Sequence, residues 1–109
     1  KHLPSYINHA DQLKKKGISD IYCLAVNDPF VMQAWQKQND KDNKIIMIAD
    51  GNGDLTKALE LDQDFSASSM GVRSKRFGLV AENNKIMILN VEEKGEYKIS
   101  SAEYILNQL

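Results

Sequence analysis

The segment that decides the fold runs from Asp20 to Trp35 and reads Asp-Ile-Tyr-Cys-Leu-Ala-Val-Asn-Asp-Pro-Phe-Val-Met-Gln-Ala-Trp. Its apolar first part, residues 21–26, does not alternate with polar residues, which predicts a strand buried on both faces, as in a parallel sheet. Asp28 and Pro29 then predict a helix start, because aspartate caps free N–H groups and proline suits the first helical position. A strand followed at once by a helix predicts an α/β domain.

Composition excludes several classes of function. The chain has 109 residues and a formal net charge of −1, so a single domain, residues 1–109, is expected. No basic stripe indicates a nucleic-acid partner, and no apolar run reaches the ~18 residues of a membrane span. The single cysteine, Cys23, allows no disulfide within these residues and favours a reducing compartment. The two histidines have no cysteine or carboxylate at ligand spacing, so neither a metal nor another cofactor is expected.

Periodicity and turn residues predict an alternation of helices and strands. Helices are expected at 4–16, 29–38 and 54–61, with a last one opened by the capping box Ser100-Ser101-Ala102-Glu103 and ending at Leu109; strands are expected at 20–26, 44–49, 77–81 and 85–91. The first two strands predict a parallel pair, and Asn83-Asn84 predicts a hairpin between the last two. Residues 62–74 have weak periodicity and are expected to be mostly loop. On helix 29–38, the apolar residues Phe30, Val31, Ala34 and Trp35 share one face.

Four motifs occur in order along the chain. They are His2-Leu3-Pro4, Val26-Asn27-Asp28-Pro29-Phe30-Val31, Ala49-Asp50-Gly51-Asn52-Gly53 and Arg73-Ser74-Lys75-Arg76-Phe77. Together they resemble the peroxiredoxin-5-like branch of the peroxiredoxins, which are thiol peroxidases, and the resemblance covers Lys1 to Leu109. The fold that it implies is the thioredoxin-like α/β fold, with three α/β/α layers and a mixed sheet.

The resemblance also implies residues upstream of Lys1. The family's peroxidatic cysteine lies four positions before the histidine of Cys-(Ser/Thr)-x-x-His-Leu-Pro, and only the end of that motif is present here. A central strand is expected there too, between strands 20–26 and 77–81, which would then lie about 9–10 Å apart. The first helix should begin before Pro4, so that Lys1, His2 and Leu3 are helical and Pro4 marks a bend.

The resemblance assigns roles to particular residues. Arg76 matches the arginine that points at the peroxidatic sulfur, where a guanidinium lowers the thiol pKa and donates hydrogen bonds to the peroxide oxygens. Read by itself, Arg76 is an ordinary surface arginine in a basic turn. His2 is expected to support the site through a hydrogen bond. Arg73 is expected to be structural or interfacial, and Cys23, in mid-strand, to be inert.

The function implied is the reduction of hydrogen peroxide and alkyl hydroperoxides by a cysteine upstream of residue 1. No second cysteine stands near Ile99, where some relatives carry a resolving thiol, so an external thiol is expected: glutathione with glutaredoxin, or thioredoxin. The family forms homodimers through segments that match Phe30 and Met70-Gly71 here. A cytoplasmic location is expected.

Two alternatives of other classes stay open on sequence grounds. One is a redox-inactive thioredoxin-like domain that serves as a binding module or scaffold. The other is a flavodoxin-like domain that binds a small anionic ligand at the carboxyl end of a strand, for example at Val26-Asn27-Asp28.

Overall fold

The computed structural model describes residues 2–109, and these fall into two compact units, each described by itself. One unit comprises residues 20–75, and the other comprises residues 2–19 with 76–109. Among the described residues the strands form three two-stranded sheets. The expected central strand is not one of these elements, so its presence and the spacing that it implies stay predictions. No helix in this part of the chain is long and apolar enough to span a membrane.

Unit 20–75 contains the predicted parallel pair. Strand β1 (Tyr22–Ala25) pairs with β2 (Ile46–Ala49), with Tyr22 opposite Ile46, and helix α3 (Pro29–Asn39) lies between them in the chain. The Asp28 side chain accepts from the N–H of Val31 at 2.9 Å and caps α3, as predicted. The expected burial of the strand on both faces is wrong, because Tyr22 is 57% exposed and the rest of β1 is half-buried. A sheet of only two strands has few neighbours to cover it.

The inward face of α3 also differs from the prediction. Phe30, Val31 and Ala34 are exposed, Trp35 is half-buried, and Met32 is the buried side chain. After β2 a short helix, α4 (Asp54–Ala58), follows a turn whose Asp50 carboxylate accepts from Thr56. The segment expected to be mostly loop forms an antiparallel pair, β3 (Asp62–Asp64) and β4 (Val72–Ser74), joined through a single 3₁₀ turn. Strands of three residues are too short to show periodicity.

The first helix of the other unit begins before Pro4, as the family resemblance implies. Helix α1 (His2–Asn8) confirms that His2 and Leu3 are helical, whereas Lys1 lies outside the described residues. The single predicted helix is interrupted at His9, where φ is −107°, and continues as α2 (Ala10–Lys15). The bend at Pro4 stays a prediction. Gly17, with φ +101°, follows the end of α2 in a left-handed conformation, and the N–H of Ile18 donates to the carbonyl oxygen of Leu13.

The C-terminal part of this unit is a hairpin followed by a helix. Strands β5 (Phe77–Glu82) and β6 (Lys85–Val91) pair antiparallel, and Asn83 and Asn84 have the positive φ angles expected of their turn. Helix α5 (Ala102–Gln108) is capped by Ser101, whose Oγ accepts from the N–H of Tyr104, and not by Ser100. The buried apolar side chains of α1, α2 and α5 form the core of this unit: Leu3, Ala10, Leu13, Ala102 and Ile105.

Candidate active site

Arg76 immediately precedes β5, and the loop after β6 holds its exposed side chain. The guanidinium donates through Nη1 to the carbonyl oxygen of Glu96 at 3.0 Å, and it lies over the ring of Tyr97, 5.6 Å from the centroid. The main-chain oxygen of Arg76 accepts from the N–H of Glu92 at 2.9 Å. The base of the side chain is therefore fixed while the charge remains accessible to solvent. A fixed and accessible cation can stabilise a thiolate or a developing oxyanion.

His2 lies against the same loop. Its Nε2 is 3.0 Å from the carbonyl oxygen of Ser100, and its ring meets the rings of Tyr6 and Tyr97 edge-on, at 5.4 and 5.7 Å between centroids. A carbonyl only accepts, so Nε2 carries a hydrogen. Burial lowers the pKa of His2; the Ser100 carbonyl opposes this effect and the Arg76 charge adds to it. Near neutral pH the ring is therefore an uncharged donor that is already engaged with Ser100, which fits a supporting role better than proton transfer.

Tyr6 shares the acceptor that His2 uses. Its hydroxyl donates to the carbonyl oxygen of Ser100 at 2.6 Å, and burial raises the pKa of the phenol, so that it stays protonated. Close approach here depends on Gly78 of β5: a Cβ at that position would lie 3.0 Å from the Tyr6 hydroxyl and 3.2 Å from the Ser100 oxygen. A side chain at this position would force these atoms to shift by a few tenths of an ångström, so glycine allows the close approach.

Glu92, the buried residue after β6, organises the loop. One oxygen of its carboxylate, Oε2, accepts from the N–H of Lys98 at 2.5 Å, the N–H of Ser100 at 2.9 Å and the hydroxyl of Ser100 at 2.7 Å. Burial alone would raise the pKa of Glu92, but the hydrogen bonds from Ser100 and Lys98 outweigh it and lower the pKa to about 2. The carboxylate is therefore ionised at neutral pH and fixes the loop as a charged acceptor.

The structure thus places the two predicted catalytic residues, Arg76 and His2, against one loop, at residues 96–100. Tyr6, Tyr97 and Glu92 were not predicted to belong to this site, and Ser100 was predicted only as a helix cap. No local motif marks these residues, since their roles come from a turn that closes between Glu92 and Ser100. In the described residues no group of three histidine, cysteine, aspartate or glutamate side chains could hold a metal ion.

Cys23 and Arg73 belong to unit 20–75. Cys23 is half-buried on β1, and burial raises the pKa of its thiol to about 11, so that very little thiolate is present at neutral pH. Arg73 donates through Nη1 to the carbonyl oxygen of Val26 and to Oδ1 of Asn27, both at 2.8 Å, and through Nε to the carbonyl oxygen of Met70 at 2.9 Å. The guanidinium therefore joins the turn before α3 to the loop before β4.

Phe30 and Met70, expected at an interface, lie at the two segments that Arg73 joins. Phe30 is 81% exposed and Met70 is 49% exposed. Gly71 is exposed as well and has φ +66°, a left-handed conformation that favours glycine. Exposed apolar side chains are typical of surfaces that bind a partner where they form one contiguous patch.

Known proteins resemble this chain over its whole length. The Redoxin family model matches residues 1–106. Peroxiredoxin-2C of Oryza sativa subsp. japonica is 49% identical over 109 residues, which are 100% of this chain and 67% of the relative. The chain spans about two thirds of the length of such relatives. Other relatives carry the names of chloroplastic and mitochondrial peroxiredoxins.

Solved structures of peroxiredoxins also resemble this chain. Reduced Prx3 from Vibrio vulnificus in complex with H₂O₂ is 44% identical, with a TM-score of 0.94 over 99% of this chain and 69% of that chain. Peroxiredoxin 5 from Alvinella pompejana is 36% identical, with a TM-score of 0.87 over 98% of this chain and 66% of that one. The class is therefore the thiol-dependent peroxidases with a thioredoxin-like fold, and the flavodoxin-like alternative is wrong. The chain belongs to the Redoxin family, and within it to the peroxiredoxins.

Proposed function

We propose that the protein containing this chain reduces hydrogen peroxide and alkyl hydroperoxides with a cysteine located upstream of residue 1. The thiolate attacks one oxygen of the O–O bond; an S–O bond forms, the O–O bond breaks, and the leaving oxygen takes a proton to become water or an alcohol. The cysteine is left as a sulfenic acid. The main support for this proposal is the position of Arg76, whose guanidinium is bonded to the Glu96 carbonyl, lies over Tyr97 and remains accessible to solvent. Such a cation can stabilise both the thiolate and the negative charge on the leaving oxygen.

His2 has a supporting part in this proposal. Its Nε2–H is engaged with the Ser100 carbonyl, and the lowered pKa keeps the ring neutral, so it adds no second cation beside Arg76. The ring instead contacts Tyr97, which lies under the guanidinium. His2 therefore helps to hold Tyr97, and through it Arg76, in place.

The sulfenic acid is reduced by an external thiol, either glutathione with glutaredoxin or thioredoxin. One thiol condenses with the sulfenic acid to form a disulfide and water, and a second thiol then releases the cysteine. Cys23 is a poor resolving thiol because its raised pKa leaves almost no thiolate to attack. The single cysteine among these residues favours a reducing compartment and supports a cytoplasmic location; other relatives carry the names of chloroplastic and mitochondrial peroxiredoxins.

A homodimer is the proposed assembly. Its interface would use Phe30, Met70 and Gly71, and the exposure of these residues supports that assignment. Arg73 would set the position of both segments through its three hydrogen bonds.

The test uses the natural protein, with the residues that its gene encodes before Lys1. Peroxide consumption is measured with dithiothreitol, glutathione with glutaredoxin, or thioredoxin as the reductant, for the parent and for variants in which each cysteine is replaced by serine. The expected result is turnover that survives Cys23→Ser and disappears when the upstream cysteine is replaced. Turnover that depends on Cys23 would contradict the proposal, and a complete lack of turnover would favour the redox-inactive alternative.

A further inference from the structure

None of the described hydrogen bonds of the Glu92 carboxylate goes to Arg76 or His2, and its charge acts on His2 only through space. The loop that the carboxylate binds nevertheless supplies partners to both residues. The loop carries the Glu96 carbonyl that accepts from Arg76, the Tyr97 ring that lies beneath the guanidinium, and the Ser100 carbonyl that accepts from His2. The carboxylate bonds to this same loop at two later positions, Lys98 and Ser100.

The main chain makes a second link between Glu92 and Arg76. The N–H of Glu92 donates to the carbonyl oxygen of Arg76, in continuation of the β5–β6 pairing in which Phe77 lies opposite Val91. Glu92 is thus adjacent to the base of the Arg76 side chain through its backbone, and it holds the far partners of that side chain through its carboxylate. A displacement of the loop would move both the Glu96 carbonyl and the Tyr97 ring.

The ionised Glu92 carboxylate stabilises the folded chain, and the geometry of its hydrogen bonds points to a second role. Glu92 is only 8% exposed, and its partners in the loop are neutral N–H and O–H groups. Burying a carboxylate costs free energy that hydrogen bonds offset only when their geometry is good, and an apolar side chain of similar volume often serves a core as well. The carboxylate also fixes the position of the loop, because three donors of the loop bond to its single oxygen Oε2.

We infer that Glu92 is a positioning residue for peroxide reduction, acting through the loop at residues 96–100 to hold Arg76 and His2 in their reactive arrangement. This inference rests on the proposed peroxidase function. It assigns to a residue distant in the chain from both motifs the task of keeping the guanidinium over Tyr97 and bonded to Glu96.

The test is a double-mutant cycle in the natural protein. Glu92→Gln keeps one oxygen that can face the three donors, but it removes the charge that strengthens these bonds. The second-order rate constant for hydrogen peroxide should fall about tenfold, as expected when a catalytic group is slightly misplaced. In an Arg76→Ala background the same change should alter the rate constant by less than about twofold, because the group that Glu92 positions is already absent. The control is Glu93→Gln, which removes the same charge from an exposed neighbour and should leave the rate unchanged.

Each outcome of the cycle bears on the inference. A loss seen only when Arg76 is present supports it. An equal loss in both backgrounds would show that Glu92 serves general stability, and a parental rate in Glu92→Gln would show that the loop needs no carboxylate; either result overturns the inference while the peroxidase function stands. A parent protein without turnover would overturn the function itself. If Glu92→Gln fails to fold by circular dichroism, Ser100→Ala replaces it, since it removes only the hydroxyl that donates to Glu92.

Discussion

The guanidinium carbon of Arg76 lies 5.6 Å from the centroid of the Tyr97 ring, and this pair joins the start of β5 to the loop after β6. A cation over an aromatic face is attracted by the ring and loses little hydration on its other side. Arg76 is therefore held without being neutralised, since its other described partner is the carbonyl of Glu96 and not a carboxylate. The full positive charge stays available to a thiolate and a peroxide.

Replacing Arg76 with alanine should lower peroxide reactivity and leave the fold intact. The loss of one donor to the transition state costs on the order of 3 kcal/mol, or ~100-fold in rate. Stopped-flow measurement of the second-order rate constant of the natural protein tests this expectation, and circular dichroism checks the fold. Lys57→Ala, which removes an exposed cation from α4, is the control. If the Arg76→Ala enzyme reacts as fast as Lys57→Ala, Arg76 does not belong to the active site.

Gly78→Ala should destabilise the protein by about 1–3 kcal/mol, because the new methyl group would press on the Tyr6 hydroxyl, the Ser100 carbonyl and Ile105. Urea unfolding monitored by circular dichroism measures the change. The matched control is Gly51→Ala, where the nearest atom would lie at 3.7 Å and no such displacement is needed. Equal stability of the two variants would mean that the approach of Tyr6 and Ser100 to β5 is not tight.

Glu92 should make stability depend on pH in the acid range. The pKa of its carboxyl is lowered from 4.5 to about 2 in the folded state, so its contribution is fully present above the unfolded pKa and is lost as pH falls towards 2. The lost free energy is about 3 kcal/mol. The lowered pKa of His2 also reduces stability as the pH falls below the ordinary pKa of histidine. The contribution of Glu92 must therefore be measured by comparing variants that all retain His2. Between pH 5 and pH 2, Glu92→Gln should lose less stability than the parent, whereas Glu93→Gln should match the parent; parallel acid-unfolding curves for all three would contradict the assignment.

The features that the sequence predicted best are local ones, which depend on residues close together in the chain. The cap of α3 by Asp28 and the turn at Asn83-Asn84 need only a few residues, and both are confirmed. The burial of Met32 in place of Phe30 could not be predicted, because the inward face of a short amphipathic helix depends on what packs against it. The short pair β3–β4 gave no periodic signal.

The residues of the candidate site differ in the same way in how far the sequence could predict them. Arg76 and His2 could be proposed because family motifs mark their positions. Glu92 could not, since an acidic residue followed by Glu93 and Lys94 has the pattern of an exposed turn. Its burial and its bonds to Lys98 and Ser100 exist only once the loop has closed, and a sequence pattern does not show which carboxylate of several will be enclosed.

Cys23 should be slow to react with thiol reagents. Its raised pKa leaves little thiolate, and the thiolate is the reacting species. In the natural protein, alkylation by iodoacetamide at pH 7.4, followed by peptide mass spectrometry, should label the upstream cysteine first and Cys23 much later. Unfolding in guanidinium chloride is the control and should make the two cysteines react at similar rates. Rapid labelling of Cys23 in the folded protein would show that β1 does not shield it.

Phe30→Asp should weaken the proposed homodimer. Phe30 is the most exposed of the large apolar side chains, and the turn that leads to it is fixed by Arg73 through Val26 and Asn27. A charge at such a position would be desolvated on association without an opposite charge to pair with, so sedimentation velocity should show a shift from dimer to monomer.

Arg73→Ala should shift the equilibrium in the same direction but less, because the side chains that would contact the partner remain and only their positions become less fixed. Tyr104→Asp, which places the same charge on an exposed aromatic position of α5 outside the proposed interface, should stay dimeric. If Phe30→Asp sediments as the parent does, the interface lies on another surface, and the exposure of Phe30 and Met70 needs a different partner to explain it.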